Sequence, residues 1–216
     1  MGDIFLDKTA TEALGKFNCA LGLDVSRRST GVCLYQNGVL ILYQISTEAK
    51  YSTEDRLWEA NMKRQFKEEL TKIVKGKTFD LVVIENCING CNAITNKELT
   101  LLNSVFDDLV AEKVCNVKKG RMYRVFPNVW RKQLKQLRTV SGVKDVKELV
   151  EKILRSLGFA YVLEHEDDSA YAKKQNGYYD MCDATGMLLA YMHKLSNVSE
   201  KEPSSVQETS ENNENS

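Results

Sequence analysis

The sequence predicts an α/β domain in which one mixed, five-stranded sheet is covered by helices on both faces. Three features carry that expectation. The apolar run Cys19-Ala20-Leu21-Gly22-Leu23-Asp24 has the length and turn-bounded character of a strand buried on both faces. Asn37-Gly38 separates two further strand-like runs, Thr30–Gln36 and Val39–Ile45, and this is the strongest short hairpin signal a sequence offers. The first three strands therefore read as an antiparallel meander. Beyond residue 52, strand-like and helix-like segments alternate, as crossover connections to two further, parallel strands require.

Taken in order, residues 1–16 are weakly patterned and read as a loose lead-in or short helix. In the first strand, side-chain alternation places Phe17, Cys19, Leu21 and Leu23 on one face and Ala20, Gly22 and Asp24 on the other. Ser52-Thr53-Glu54-Asp55 resembles a capping box. After it, Trp58, Met62, Phe66, Leu70, Ile73 and Val74 recur at helical spacing as far as Lys75, with Gly76 as the stop. Phe79–Glu85 is a second buried strand, with Leu81, Val83 and Glu85 sharing a face. Thr95 and Glu98 offer another capping box, followed by the apolar seam Leu99, Leu102, Phe106, Leu109 and Val110. Met122–Phe126 is a third core strand, closed by Pro127. Two helical patterns follow, at Trp130–Leu137 and Val143–Leu157, the second stopped by Gly158. Residues 161–177 are polar and irregular, and a last helix runs from about Tyr179 to Leu195. No internal repeat is present.

Composition narrows the class. An apolar content of 43% and a charged content of 28% belong to an ordinary soluble globular protein. The length suits a lead-in (1–16), one domain (17–197) and a tail (198–216). No run approaches the ~20 apolar residues of a membrane span. The acidic N-terminus lacks an export signal, and Leu6 breaks the myristoylation pattern, so an intracellular protein is expected. The six cysteines (19, 33, 87, 91, 115, 182) are then most simply buried thiols. Cys87 and Cys91 are spaced C-x3-C, but no second pair or His cluster completes a zinc site. The net charge of zero hides a split: residues 199–216 hold five acids and one base, leaving the other 198 residues with 29 bases and 25 acids. The Ser-, Asn- and Glu-rich tail is expected to be disordered.

The chemistry lies in four acids. Two core strands end on carboxylates, Asp24 and Glu85, and a buried carboxylate is costly unless a metal ion, a ligand or a hydrogen-bonding turn compensates it. In open α/β sheets the functional crevice lies beyond the strand ends. The final helix opens with Tyr179-Asp180-Met181-Cys182-Asp183-Ala184, whose two acids project from one face of the first turn. Singly, each position has a structural explanation: acids are favoured at helix starts and Asp often caps a turn. Jointly, four carboxylates from three elements suit the hard cations Mg²⁺ or Mn²⁺, and two such ions serve in-line phosphoryl transfer. Between Lys118 and Lys144 stand nine bases and no acid: Lys118, Lys119, Arg121, Arg124, Arg131, Lys132, Lys135, Arg138 and Lys144. They are interleaved with Tyr123, Phe126, Trp130, Leu134 and Leu137, the pattern of a folded basic surface facing a phosphate backbone.

These motifs together resemble the signature set of the RuvC-like Holliday junction resolvases of the phage and bacterial branch, within the ribonuclease H-like superfamily. The resemblance rests on Leu21-Gly-Leu-Asp-Val-Ser with Ser29-Thr-Gly, on Val83-Ile-Glu85 and on Asp180-Met-Cys-Asp183-Ala, in matching order over roughly residues 17–195. It implies a ribonuclease H-like fold and a homodimeric endonuclease that cuts four-way DNA junctions in the cytoplasm of a bacterial or phage-infected cell. By the same resemblance, Asp24, Glu85, Asp180 and Asp183 would hold two Mg²⁺ or Mn²⁺ ions, and Lys144 or Lys147 would be the basic residue near the scissile phosphate. Lys118, Lys119, Arg121, Arg124, Arg131, Lys132, Lys135 and Arg138 are the expected DNA contacts. The chain departs from the family in Asp24-Val25-Ser26, where Asp-Pro-Gly is frequent, and in its acidic tail. His165 and His193 are expected to take no part.

Three rival readings remain at this level. An actin-like ATPase or sugar kinase shares the Asp-containing first hairpin but needs a second domain with its own phosphate loop. A flap- or branch-cutting nuclease of the same fold is an enzyme rival, and a non-catalytic DNA-binding module is the third. If the tail is disordered, deleting residues 199–216 leaves the melting temperature within ~2 °C by thermal denaturation; a larger loss means the tail packs.

Overall fold

The computed structural model of the chain describes residues 3–5, 17–47, 57–86, 93–137, 141–143, 145–157 and 177–199. The expectations for the capping box at 52–55, the Cys87/Cys91 pair, Arg138, Lys144, Gly158, His165, the 161–176 segment and the tail lie outside the described residues. Among those described are a short strand β1 (Asp3–Phe5), the meander β2 (Cys19–Asp24), β3 (Ser29–Gln36) and β4 (Val39–Ser46), then helix α1 (Trp58–Val74). There follow β5 (Thr78–Phe79), β6 (Leu81–Glu85), α2 (Ala93–Ala111), β7 (Asn116–Val117), β8 (Met122–Val125), α3 (Pro127–Leu137), α4 (Val146–Ser156) and α5 (Tyr178–Ser199).

The main sheet has the order β1-β4-β3-β2-β6-β8. It holds the five expected strands as expected: β2, β3 and β4 are antiparallel neighbours, and β6 and β8 run parallel to β2. Asn37 and Gly38, with φ of 50° and 88°, make the tight turn between β3 and β4, where both central residues need positive φ. The lead-in expectation is corrected in part. Asp3–Phe5 pairs antiparallel with β4, Asp3 opposite Ile41, and forms a sixth strand that covers the β4 edge. A three-residue strand is too short to leave a periodic signal. β5 and β7 form a separate two-stranded parallel pair.

The sheet divides two cores. On one face, α1 and α2 pack Trp58, Met62, Phe66, Leu70, Leu102 and Phe106 against Leu21, Leu23, Val82 and Ile84. On the other, α3, α4 and α5 pack Trp130, Leu134, Val150, Ile153, Leu154 and Leu188 against Ala20, Leu81, Val83 and Val125. Each such fully buried large side chain contributes about 1.5–3 kcal/mol. Among the described residues no helix is long and apolar enough to cross a membrane.

Three local expectations are also corrected. Phe17 packs in the α5-side core, whereas Cys19 faces the other. The strand begins only at Cys19, where the Asp80 carboxylate accepts the N–H groups of Asn18 and Cys19 at 2.6 and 3.1 Å. Thr95 is not a cap, since α2 starts at Ala93. Glu98 is instead buried against Arg27, whose Nη1 donates to Oε2 at 3.3 Å. Pro127 does not merely end a strand; it is the first residue of α3, a position where its missing N–H is harmless.

α5 lies against the central strands at two glycines. A Cβ on Gly22 would collide with the Ala184 carbonyl, and a Cβ on Gly31 would collide with the Asp180 carbonyl and the Met181 nitrogen. Backbone, not a movable side chain, fills both spaces. Gly31→Ala or Gly22→Ala must push the helix off the sheet, at an overpacking cost of about 1–3 kcal/mol or more. Thermal denaturation is expected to show a fall of roughly 5 °C or more for either variant; an unchanged melting temperature would show that the helix is not held this closely.

Candidate active site

The geometry of the acids follows from strand register. Leu23 lies beside Ile84 in the parallel pair β2–β6, so Asp24 and Glu85 close neighbouring strands about 4.8 Å apart. Both belong to the alternation set of Ala20, Leu81 and Val83, which faces α5. Gly31 is the antiparallel partner of Asp24, and the Asp180 main chain rests on Gly31. Asp183 follows one turn along the same face of α5. Register, two glycines and one helical turn thus bring the four acids to one end of the sheet.

They share one electrostatic field. Asp24 and Asp183 are buried. Burial first, then the charges of Glu85, Asp183 and Asp180, push the Asp24 carboxyl well above the ordinary carboxylate range. Glu85, Asp180 and Asp183 are also raised, in each case chiefly by burial. Several groups oppose this. The Trp130 indole N–H donates to Glu85 Oε2 at 2.8 Å. Arg131 Nη2 donates to Asp183 Oδ2 at 3.2 Å, and its guanidinium stacks 4.9 Å from the Trp130 ring centre. Ser29, itself hydrogen-bonded by Gln44 Nε2 at 3.0 Å, bonds the Asp180 carboxyl.

Lys147 lowers all four acids. Asp145 caps α4, accepting the N–H groups of Lys147 and Glu148 at 2.8 and 3.1 Å. One turn on, Glu151 accepts from Arg155 at 3.0 Å and from the Tyr178 hydroxyl, tying α4 to the start of α5. The Lys147 ammonium sits over the Tyr179 ring, 5.2 Å from its centre. Of the two lysines expected from the sequence, Lys147 is therefore at the acids, and Lys144 lies outside the described residues.

A divalent cation fits this donor set in chemistry. Asp183 Oδ1 is buried without a hydrogen-bond partner, and carboxylate oxygens are hard ligands. As they stand, the acids do not make a closed coordination sphere: among the described residues no three His, Cys, Asp or Glu groups are gathered closely enough to hold an ion. Three of them are instead engaged by protein donors: Trp130, Arg131 and Ser29 each hold one acid.

The whole arrangement has known counterparts in backbone. RuvC of Thermus thermophilus, solved in complex with a Holliday junction substrate, matches with a TM-score of 0.51 at 12% identity, over 82% of this chain and 94% of that one. The fold is that of the RuvC-like resolvases. A second Thermus thermophilus RuvC structure matches at 16% identity and a TM-score of 0.47, over 83% and 96% of the two chains. The Fowlpox virus resolvase with substrate Holliday junction DNA matches at 14% and 0.44, over 82% and 98%. No family model and no curated protein sequence matches the chain.

On the RuvC-like frame, the expected DNA contacts fall in three places. Lys118, Lys119 and Arg121 stand before β8, at the opposite end of the sheet from Glu85, and Lys118 pairs with Asp80 at 2.6 Å. Arg124 faces α2 and bonds Asn103 and Asp107. Arg131, Lys132 and Lys135 lie on α3, where Arg131 reaches Asp183 and the two lysines line the adjoining groove. His193 shares a 2.9 Å hydrogen bond with Asn197 on its own helix. Sequence reasoning did not foresee the roles of Trp130, Arg131 and Ser29. An aromatic–cation pair directly after a core strand was the one available signal.

Each raised carboxyl holds its proton more tightly in the folded chain than in the unfolded one. Folding therefore takes up protons between the ordinary carboxylate range and the raised values. In the cation-free protein these four groups cost stability at neutral pH, and the cost shrinks as pH falls through the raised values. Asp24→Asn removes the most strongly raised of the four carboxyls. Thermal denaturation in chelator should show it melting on the order of 5 °C above the parent at about pH 7, with the gap closing towards about pH 4. A variant that melts lower would mean that Asp24 is stabilising instead.

Proposed function

We propose that the chain is a divalent-cation-dependent endonuclease that cuts branched DNA, with four-way junctions as the favoured substrate and residues 17–197 as the catalytic unit. One observation carries the reading: four acids from three elements share one field with Lys147 at the end of a RuvC-like sheet. The likeness to a RuvC solved with a Holliday junction supports a branched substrate.

In this reading Asp24, Glu85, Asp180 and Asp183 are the ligands of two divalent ions, Mg²⁺ or Mn²⁺. When bound, such ions supply polarisation of the phosphate and activation of the attacking water. The protein's own groups do the rest. Lys147, held by the Asp145 cap and the Glu151–Tyr178 tie, places a cation where negative charge grows on the phosphate oxygens. Trp130 fixes the orientation of Glu85. Arg131 neutralises Asp183 and, with Lys132 and Lys135, extends a cationic wall along α3 for the DNA backbone. A homodimer would present two such sites to the two equivalent strands of a junction.

The test uses purified protein on labelled four-way junctions, flaps and linear duplexes with Mg²⁺ or Mn²⁺. The expected result is paired, symmetric nicks in the junction, no cutting in chelator, and a loss of at least ~10³-fold in Asp24→Asn with DNA binding retained. Cutting of flaps in preference to junctions selects the rival nuclease, and binding without any cutting selects the non-catalytic module. Full activity in chelator, or in Asp24→Asn, overturns the mechanism.

A further inference from the structure

We propose that the acidic segment 200–216 of the chain seats on the basic end of the sheet, opposite the four acids, and keeps that end from the DNA backbone. The seating follows from charge and topology; its effect on DNA rests on the nuclease reading.

Three turns build the basic end. Lys75 and Lys77 lie between α1 and β5, Lys113 between α2 and β7, and Lys118, Lys119 and Arg121 between β7 and β8. Backbone bonds lock the turns together. The Gly76 N–H donates to the Val114 carbonyl at 2.9 Å, the Asn116 N–H to that of Lys77 at 2.9 Å and the Lys118 N–H to that of Phe79 at 3.0 Å. Adjacency in the chain groups only the last three cations, and the fold adds the other three. Lys118 is paired with Asp80, and Lys77 donates to Gln36. Lys75, Lys113, Lys119 and Arg121 are exposed, and no described acid engages them.

α5 delivers the segment to this end. At Gly31, opposite Asp24, the sheet meets Asp180; at Gly22, nearer the start of β2, it meets Ala184 and Leu188. The helix therefore runs back along β2, away from the acids. Farther on, the Tyr191 ring centre lies 5.4 Å from that of Tyr123 on β8, and Leu195 joins the same core as Phe17. From Asp180 to Ser199 the helix covers about 28 Å, more than the roughly 20 Å of the six-residue β2. Ser199 thus ends α5 where β2, β6 and β8 begin, the end that carries the cations.

The charge that follows is complementary. Residues 200–216, outside the described residues, hold Glu200, Glu202, Glu208, Glu211 and Glu214 against the single base Lys201. Extended, they reach at most about 55 Å, more than the roughly 24 Å across the sheet's six strands. Tethering holds them near the cations at an effective concentration on the order of millimolar, so contacts too weak to form between separate molecules form within one chain. Exposed ion pairs add little to fold stability, so the seating is read in contacts and DNA affinity rather than in melting temperature. With this end covered, Lys132 and Lys135 on α3 remain as the open cationic wall, and duplex is drawn towards the acids.

The experiment treats the full chain with a zero-length carbodiimide, which joins a carboxylate only to an amine in contact with it, and maps the links by mass spectrometry. Links from the segment's glutamates to Lys75, Lys113 or Lys119 are expected at about 20 mM salt and should vanish at about 0.5 M, where screening is strong. The Lys67–Glu112 ion pair is the internal control. Mixing isotopically light and heavy chains separates links within one chain from links between copies. In chelator, a full chain combining Glu200→Gln, Glu202→Gln, Glu208→Gln, Glu211→Gln and Glu214→Gln is expected to bind a linear duplex about 10-fold tighter at about 20 mM salt. Adding Lys113→Gln, Lys119→Gln and Arg121→Gln should remove that gain. Absent links, links only between copies, or links mainly to Lys132 and Lys135 overturn the seating. Unchanged duplex affinity, or a gain that survives the three added substitutions, overturns the masking of DNA. None of these results touches junction cutting, whose failure overturns the nuclease reading while links within the chain remain.

Discussion

At Gly31 and Gly22 the backbone of α5 rests on the backbone of the central strands with no side chain between them. That contact fixes where the two acids of the helix stand. It sets the distance of Asp180 and Asp183 from the strand that ends on Asp24, because Gly31 is Asp24's register partner and lies under the Asp180 carbonyl. A helix standing on side chains would ride several ångströms higher, and its two acids would no longer join the field of the strand-end pair. The helix is fully committed to this position: its inward residues from Cys182 to Met192 are almost all buried, so it cannot tilt without opening the larger core.

The same closeness sets up an electrostatic conflict. Four carboxylates in a mostly buried pocket repel one another and resist ionisation, and Asp24 bears most of it. The fold answers with groups from two helices. Trp130 and Arg131, adjacent on α3, each hold one acid, one on β6 and the other on α5. Lys147 answers from α4, and a network of the buried Glu151 and Tyr178 with the exposed Arg155 ties that helix to α5. The answer is partial, since Asp183 Oδ1 remains without a partner. Residual negative potential of this kind favours a divalent cation over the folded protein's own stability, a familiar trade at functional sites.

Much of this was legible from residues alone. Strand-end acids, the Asn-Gly hairpin and the three-residue spacing of Asp180 and Asp183 are local features, and local periodicity reports which face each side chain takes. Glycines 22 and 31 stood inside the motif, though only the packed helix explains them. Trp130 read as one apolar position in a helical stripe; nothing in its spacing announces a bond to Glu85, 45 positions away. The run of nine bases read as one surface because sequence shows adjacency in the chain. The short strand β8 carries that chain from one end of the sheet to the other, so Lys118 and Arg131 finish at opposite ends and Arg124 turns to the far face.

Side-chain alternation, turn chemistry and apolar spacing act over a few residues, and for that reason the sequence by itself determined the elements, their buried faces and the identity of the four acids. Convergence is a different kind of fact. It depends on which strands become neighbours, on how closely a helix can approach two glycines, and on which residues of α3 and α4 then point into the gap. Those contacts join residues far apart in the chain and form only when the cores close, so tertiary structure alone decided that Trp130, Arg131 and Ser29 would stand around the acids, beside Lys147, one of the two lysines expected there.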